Sequence, residues 1–173
     1  MVTMRISFES PAQPDAIVLV AELDAYQDAL YQPESRHALD LAAVAEDAMI
    51  FLLVRDDTGQ AVGCGAVVLS SDYGELKRIY VRPAQRGAGV AKRILHALEA
   101  AAMAAACHVL KLESGPYQPA ALGLYARCGY DRCSRFGDYA DDPMSVFMQK
   151  KLVTPAETAG VRSGDPTKLN FFR

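Results

Sequence analysis

Apolar residues recur along this chain at two different periods, and the changes between them mark out its elements. Residues 4–8 alternate weakly, as a first strand does. Residues 14–30 carry an amphipathic helical pattern, with Ile17, Val20, Ala21, Leu23 and Leu30 on the expected buried side. Pro33 breaks that helix. A second helix is expected over residues 35–45, with Leu39, Ala42 and Ala43 inward. Residues 49–55, 61–69 and 75–81 are short apolar runs, separated by the turn signals Asp56-Asp57-Thr58-Gly59 and Asp72-Tyr73-Gly74. They predict a meander of strands, ended by Pro83. Simple alternation along the last of them puts Glu75, Lys77, Ile79 and Val81 on one face.

The next segment changes period. Residues 87–106 hold almost no glycine after their first turn and are rich in Ala, Leu and Ile. Val90, Ile94, Leu98, Ala101 and Ala105 fall on one stripe, with Lys92, His96 and Glu99 on the other side, which predicts a helix. A strand follows at 109–113, then a helix at 118–127 stopped by Gly129. Residues 132–135 and 145–152 read as two late strands. The order is β-α-α-β-β-β-α-β-α-β-β, an antiparallel meander followed by one β-α-β crossover. The fold class is therefore α/β, or α+β, with a mixed sheet. One domain is expected over residues 1–153, which suits a chain of 173 residues. Residues 154–173 lack periodicity and read as a mobile extension.

Composition narrows the function. The net charge of −3 gives no reason to expect nucleic acid as a partner. No apolar run reaches the roughly 18 residues of a membrane span, and the first residues lack a signal-peptide pattern, so a cytoplasmic protein without a membrane partner is expected. Cys64, Cys107, Cys128 and Cys133 form no CxxC pair and have no clustered histidine. They read as buried or half-buried free thiols, and no metal site is expected.

The most informative stretch is Arg86-Gly87-Ala88-Gly89-Val90-Ala91-Lys92, between a strand and a long helix. Its small residues leave backbone N–H groups uncovered where the first turn has no intrahelical acceptors. The helix dipole adds positive character there, and Arg86 and Lys92 can add charge-assisted bonds. A P-loop requires Gly-Lys-Ser/Thr, which is absent, since Ala91 and Arg93 flank Lys92. A dinucleotide fingerprint fits poorly, because Lys92 stands where a third Gly or Ala is needed. Two readings stay open from the residues: a capped helix without ligand, and a cradle for the phosphate groups of another ligand.

Three blocks in order resemble the GNAT superfamily of acyltransferases. Arg86-Gly87-Ala88-Gly89-Val90-Ala91 matches its Arg/Gln-x-x-Gly-x-Gly/Ala signature. Glu75-Leu76-Lys77-Arg78-Ile79-Tyr80-Val81 resembles its central strand, and Leu124-Tyr125-Ala126-Arg127-Cys128-Gly129-Tyr130 its helix-and-turn motif. The segments Leu112-Glu113-Ser114-Gly115-Pro116-Tyr117-Gln118-Pro119 and Phe136-Gly137-Asp138-Tyr139 resemble a bacterial subgroup with an LETGxxQPxA-type block.

The resemblance implies a cosubstrate, acetyl-CoA, and transfer of its acetyl group to an amine of a small molecule, amino acid or peptide. It implies main-chain contacts from Ile79, Tyr80 and Val81 to the pantetheine arm, and a phosphate cradle of Arg86, Gly87, Ala88, Gly89, Val90, Ala91 and Lys92. It points to Tyr125 as the acid that protonates the leaving thiolate, against the alternative of simple packing. It points to Glu75 as the base, with Glu113 and His37 as rivals and ion pairing with Lys77 the alternative to a catalytic role. Tyr31, Glu34, His37 and Glu113 are the expected acceptor-side residues. Glu34, Asp138, Asp141 and Asp142 could give an acidic mouth suited to a cation. Competing readings are O-acyl or longer-acyl transfer and a non-catalytic acyl-CoA-binding regulator. Either a monomer or a homodimer is compatible with the sequence.

Overall fold

The computed structural model describes residues 3–154. Of the extension expected at 154–173, residues 155–173 lie outside the described residues. Strands β1 (Arg5–Phe8), β2 (Met49–Arg55), β3 (Ala61–Leu69), β4 (Gly74–Val81), β5 (Val109–Ser114), β6 (Asp131–Arg132) and β7 (Val146–Lys151) make one mixed sheet. Their order is β1-β2-β3-β4-β5-β7-β6. All pairs are antiparallel except β4 with β5, the one expected β-α-β crossover. Helices α1 (Pro14–Asp28), α2 (Val90–Ala104) and α3 (Pro119–Arg127) complete the fold.

Two apolar layers hold the sheet. On one face, Val90, Ile94, Leu95, Leu98 and Ala102 of α2 pack on Leu52, Val54, Val62, Val67 and Leu76. On the other, Ala16, Leu19 and Leu23 of α1 pack on Phe51, Leu53, Cys64, Ala66 and Tyr80. The strands β2 and β3 are buried on both faces, so they read as continuous apolar runs.

The structure corrects several boundaries and faces. The expected helix at 35–45 does not form. Three short 3₁₀ turns stand there instead, Pro33–Ser35, Leu41–Ala43 and Glu46–Ala48. Asp40 caps one by accepting from the Ala42 N–H at 3.0 Å, and such local bonds compete with a longer helix. Leu41 is buried, whereas Ala42 and Ala43 are exposed. The first helix is rotated from the expected face: Ile17 is 57% exposed and Ala21 is exposed, while Ala16 and Leu19 are fully buried. Its apolar residues surround the helix too evenly for periodicity to select a side. It stops at Asp28 rather than Leu30. In α2, Ala102 rather than Ala101 completes the buried stripe. The strand expected at 132–135 shortens to Asp131–Arg132. Gly129 does end α3, with φ of 90° in the left-handed region. All four cysteines are free, three of them buried.

Candidate active site

The site originates in a defect of the sheet. The parallel neighbours β4 and β5 pair only at Gly74 with Leu110 and Glu75 with Lys111. Beyond Glu75 the two strands have no ladder pairing and a wedge opens between them. On its other side β4 carries a bulge: Lys77 pairs with Ala66 and Tyr80 with Cys64, so Arg78 and Ile79 together oppose Gly65. Arg78 sits at φ 57°, which costs a side-chain-bearing residue roughly 1–2 kcal/mol. Its side chain offsets this, donating to Asp24 at 2.6 Å and to the Leu39 carbonyl at 3.1 and 2.6 Å.

The bulge also overturns the simple alternation. Leu76, Ile79 and Val81 share the α2 side of the sheet, and Tyr80 packs on the α1 side. Glu75 and Lys77 are thus on the face opposite Ile79 and Val81.

A cavity of about 580 Å³ fills the wedge. Ile79, Tyr80, Val81, Arg86, Gly87, Gly89, Val90, Ala91 and Lys92 all line it; Ala88 does not. Gly87 and Gly89 have φ of 82° and 76°, and a Cβ at either would meet nothing within 4 Å. The backbone at the start of α2 is therefore open to a ligand, and its N–H groups have no intrahelical acceptors. Arg86 donates from Nε to the Val81 carbonyl at 2.9 Å and lies over the rings of Tyr26 and Tyr80. Arg127 and Gln85 also face the cavity, and neither emerged from the sequence. The Gln85 Oε1 is buried without a hydrogen-bond partner among the described residues. These residues fit coenzyme A: an uncovered helix start and three cations for phosphates, and an unpaired strand for the amide-bearing arm.

Acceptor-side residues gather at the same cavity. Tyr125, Glu113, His37 and Tyr31 line it, whereas Glu75 and Glu34 do not. Tyr125 is buried, with its ring edge-on to Tyr130 at 6.0 Å. Burial first, then the Glu113 charge, pushes its phenol well above the usual tyrosine range. Glu113 alternates with the core residue Leu112 and so faces away from α2. Burial raises its carboxyl, partly opposed by a Ser145 hydrogen bond and by His37 and Lys77. Glu75 instead pairs with Lys77 at 2.9 Å and accepts from the Tyr139 hydroxyl at 2.5 Å, while Lys77 also donates to that hydroxyl. Tyr31 crosses over Gly115, stacks on Tyr117 at 5.5 Å and accepts from the Tyr117 N–H at 3.0 Å. A Cβ on Gly115 would lie 2.0 Å from the Tyr31 hydroxyl, so glycine is required for that approach. Sequence reasoning placed Ser145 at the start of a late strand and gave it no site role; it stands just before β7.

The Acetyltransferase (GNAT) family model matches residues 18–130, which span the wedge, the cradle and the Tyr125 helix. The chain therefore belongs to the GNAT acetyltransferase family. It is 41% identical over 154 residues to a protein named IAA acetyltransferase from Azospirillum brasilense, covering 88% of this chain and all of that one. A crystal structure of an acyl-CoA N-acyltransferase from Klebsiella pneumoniae superposes with a TM-score of 0.80 at 41% identity, over 87% of this chain and 99% of that one. The PaiA N-acetyltransferase of Thermoplasma acidophilum, solved in complex with coenzyme A, shares the fold at 15% identity, with a TM-score of 0.68 over 86% of this chain and 99% of that one. The protein is thus an acetyltransferase, and its cosubstrate is acetyl-CoA, the acyl donor of its family. No described helix is long and apolar enough to cross a membrane.

Proposed function

We propose that this acetyltransferase moves an acetyl group from acetyl-CoA to the primary amine of a small molecule, amino acid or peptide, with Glu113 as base and Tyr125 as acid. The supporting observation is that these two groups, both shifted upward by burial, line one cavity with the phosphate cradle. Acetyl-CoA supplies the activated acyl carbon as a thioester. Arg86, Lys92, Arg127 and the open backbone at Gly87 and Gly89 hold its phosphates; Ile79, Tyr80 and Val81 present main chain to its arm. The amine must be neutral to attack. A lysine-like amine has a pKa of about 10.4, so its neutral form costs roughly 4–5 kcal/mol at pH 7. The Glu113 carboxylate takes that proton, and its raised affinity for protons suits the task. Tyr125 stays protonated at neutral pH and gives its phenolic proton to the departing sulfur.

Glu75 was the expected base. Its ion pair with Lys77 and its bond from Tyr139 favour a structural role, so Glu113 takes the base role here. The cavity lining also bears on the acceptor. Among its described lining residues Glu113 carries the one carboxyl group, while Arg36, Lys77 and Arg78, which line it beyond the cradle with His37, are each ion-paired, to Asp28, Glu75 and Asp24. The expected acidic mouth of Glu34, Asp138, Asp141 and Asp142 contributes no lining residue. One carboxyl group offers a polyamine no second anionic partner, which favours acceptors with a single amine.

Calorimetric titration with acetyl-CoA tests the donor half, alongside Gly89→Glu. The variant's side chain has room, yet it places a carboxylate against the phosphates. Micromolar binding that is lost in Gly89→Glu supports the reading, and absence of binding by the unaltered protein refutes it. An acceptor panel then compares amino acids, aromatic amines, peptides, spermidine and IAA, the compound in the Azospirillum relative's name. Acetylation of spermidine above all others would overturn the charge argument.

A further inference from the structure

A base that takes one proton per turnover must pass it on before the next. Glu113 is poorly placed to do so directly, because its carboxyl is largely buried and faces a cavity that acetyl-CoA and acceptor would fill. We propose that Ser145 and His37 form the exit path, with Ser145 relaying the proton from Glu113 to the His37 imidazole and so to the surface. This rests on the reading of Glu113 as the base.

The placement comes from the sheet. The register pairs Ser114 with Val146, so the residue before β7 sits beside the end of β5. Ser145 stands two residues before Phe147, the pairing partner of Glu113, so the Ser145 and Glu113 side chains share one face of the sheet, and the hydroxyl there opposes the rise of the carboxyl. Ser145 Oγ also lies 3.5 Å from His37 Nε2. That separation is long for a static bond and of the kind that tightens when substrate is bound. His37 is held in place by Tyr139, whose ring meets the imidazole edge-on at 5.0 Å. Tyr139 is itself fixed by Glu75, Lys77, Phe136 and Phe147. This gives the Glu75–Lys77–Tyr139 group a purpose at the cavity wall: it buttresses the imidazole. Beyond His37 stands Asp142, which feels the imidazole charge and accepts from Ser35 and from the Met144 N–H at 2.8 Å. A buried carboxyl, a hydroxyl, an imidazole and an outer carboxylate thus follow in series.

The step balances without any other reactant. The protonated Glu113 carboxyl gives its proton to Ser145 Oγ while the Ser145 O–H passes its own proton to His37 Nε2. The imidazolium releases the proton from Nδ1 to water, and the serine hydroxyl rotates back. The groups facing Glu113 are Lys77 and Glu75 of β4, Tyr31, Tyr125, Tyr139, Ser145 and His37; those facing His37 are Glu113, Ser145, Tyr139 and Asp142. Imidazole is the side-chain type that exchanges protons with water near neutral pH.

The chain has three histidines, His37, His96 and His108, so long-range proton–nitrogen NMR of the imidazoles reads the path directly. His37→Gln assigns the signal. Ser145→Ala should move the His37 Nε2 resonance, and Glu113→Gln should lower the His37 titration midpoint; Ser145→Thr, which keeps the hydroxyl, should resemble the unaltered protein. With an acceptor from the panel, Ser145→Ala should lower kcat about tenfold with KM little changed, at the low end of a proton-transfer contribution, and Ser145→Thr should restore it. An unmoved His37 signal in both Ser145→Ala and Glu113→Gln overturns the relay, as does a kcat loss that threonine does not repair. Failure of acetyl-CoA binding by the unaltered protein would instead overturn the donor reading, and the NMR coupling would still be measured independently of it.

Discussion

Replacing Glu113 by Gln keeps the shape of the side chain and removes its charge, so chemistry and stability should move in opposite directions. Loss of a positioned base typically costs 10²–10⁴ in rate, about 3–5 kcal/mol in the barrier. That range matches what neutralising an amine of pKa about 10.4 requires near pH 7. Acetyl-CoA affinity should be unchanged, because the cradle is built by other residues. Stability follows from the raised carboxyl of Glu113. As pH rises past the ordinary value of 4.5, the unfolded chain releases this proton first while the folded chain still holds it. Stability therefore falls with rising pH from there up to the folded-state value, and the loss persists at neutral pH. Glutamine has no such loss. The variant should gain stability at about pH 7.5 and gain little at about pH 4, and a gain of about 1 kcal/mol would raise the melting midpoint by roughly 2–4 °C in a chain this long. Steady-state kinetics and urea melts at the two pH values check both halves. A variant with full kcat would refute the base assignment, and an equal stability change at both pH values would refute the burial argument.

Further expectations concern other parts of the molecule. Tyr125→Phe should lower kcat by at least tenfold with acetyl-CoA binding retained, read by kinetics and calorimetry; unchanged kcat would reduce Tyr125 to a packing residue. Gly115→Ala should displace the Tyr31 ring, losing its stack on Tyr117 and one hydrogen bond, for a cost of about 1–3 kcal/mol in a urea melt. Cys64 is fully buried, and burial pushes its thiol up to about 12, so native-state alkylation at mildly alkaline pH should label Cys133 first and Cys64 only on unfolding, as read by mass spectrometry. Arg55 holds the Glu9 carboxyl down to about 2, from an ordinary 4.5, at separations of 3.0 to 3.1 Å. The stability this pair adds is present above about pH 4.5 and lost as pH falls toward 2, so Glu9→Gln should flatten the acid limb of the stability curve.

The sequence by itself determined the order of the strands and of the three helices that form, the crossover, the open glycine cradle and the family. Each of these is written locally: a change of hydrophobic period, a proline, a pair of glycines ahead of a long helix. The cradle is the plainest case, because Gly87 and Gly89 need positive φ whatever surrounds them. Tertiary structure decided what local pattern leaves open. The helix expected at 35–45 gave way to short turns, as Leu41 inserted into the layer beneath α1 and the Leu39 carbonyl turned to Arg78. The face of α1 was set by the sheet it covers, since its own apolar residues encircle it. The bulge at Arg78 shifts the register of β4 by one residue and puts Ile79 and Val81 on the face opposite Glu75 and Lys77. Which carboxyl faces the cavity, and which is consumed by a lysine and a tyrosine from 64 residues away, is a matter of long-range contact. Such contacts carry no period along the chain, and so they become legible only once the strands are paired.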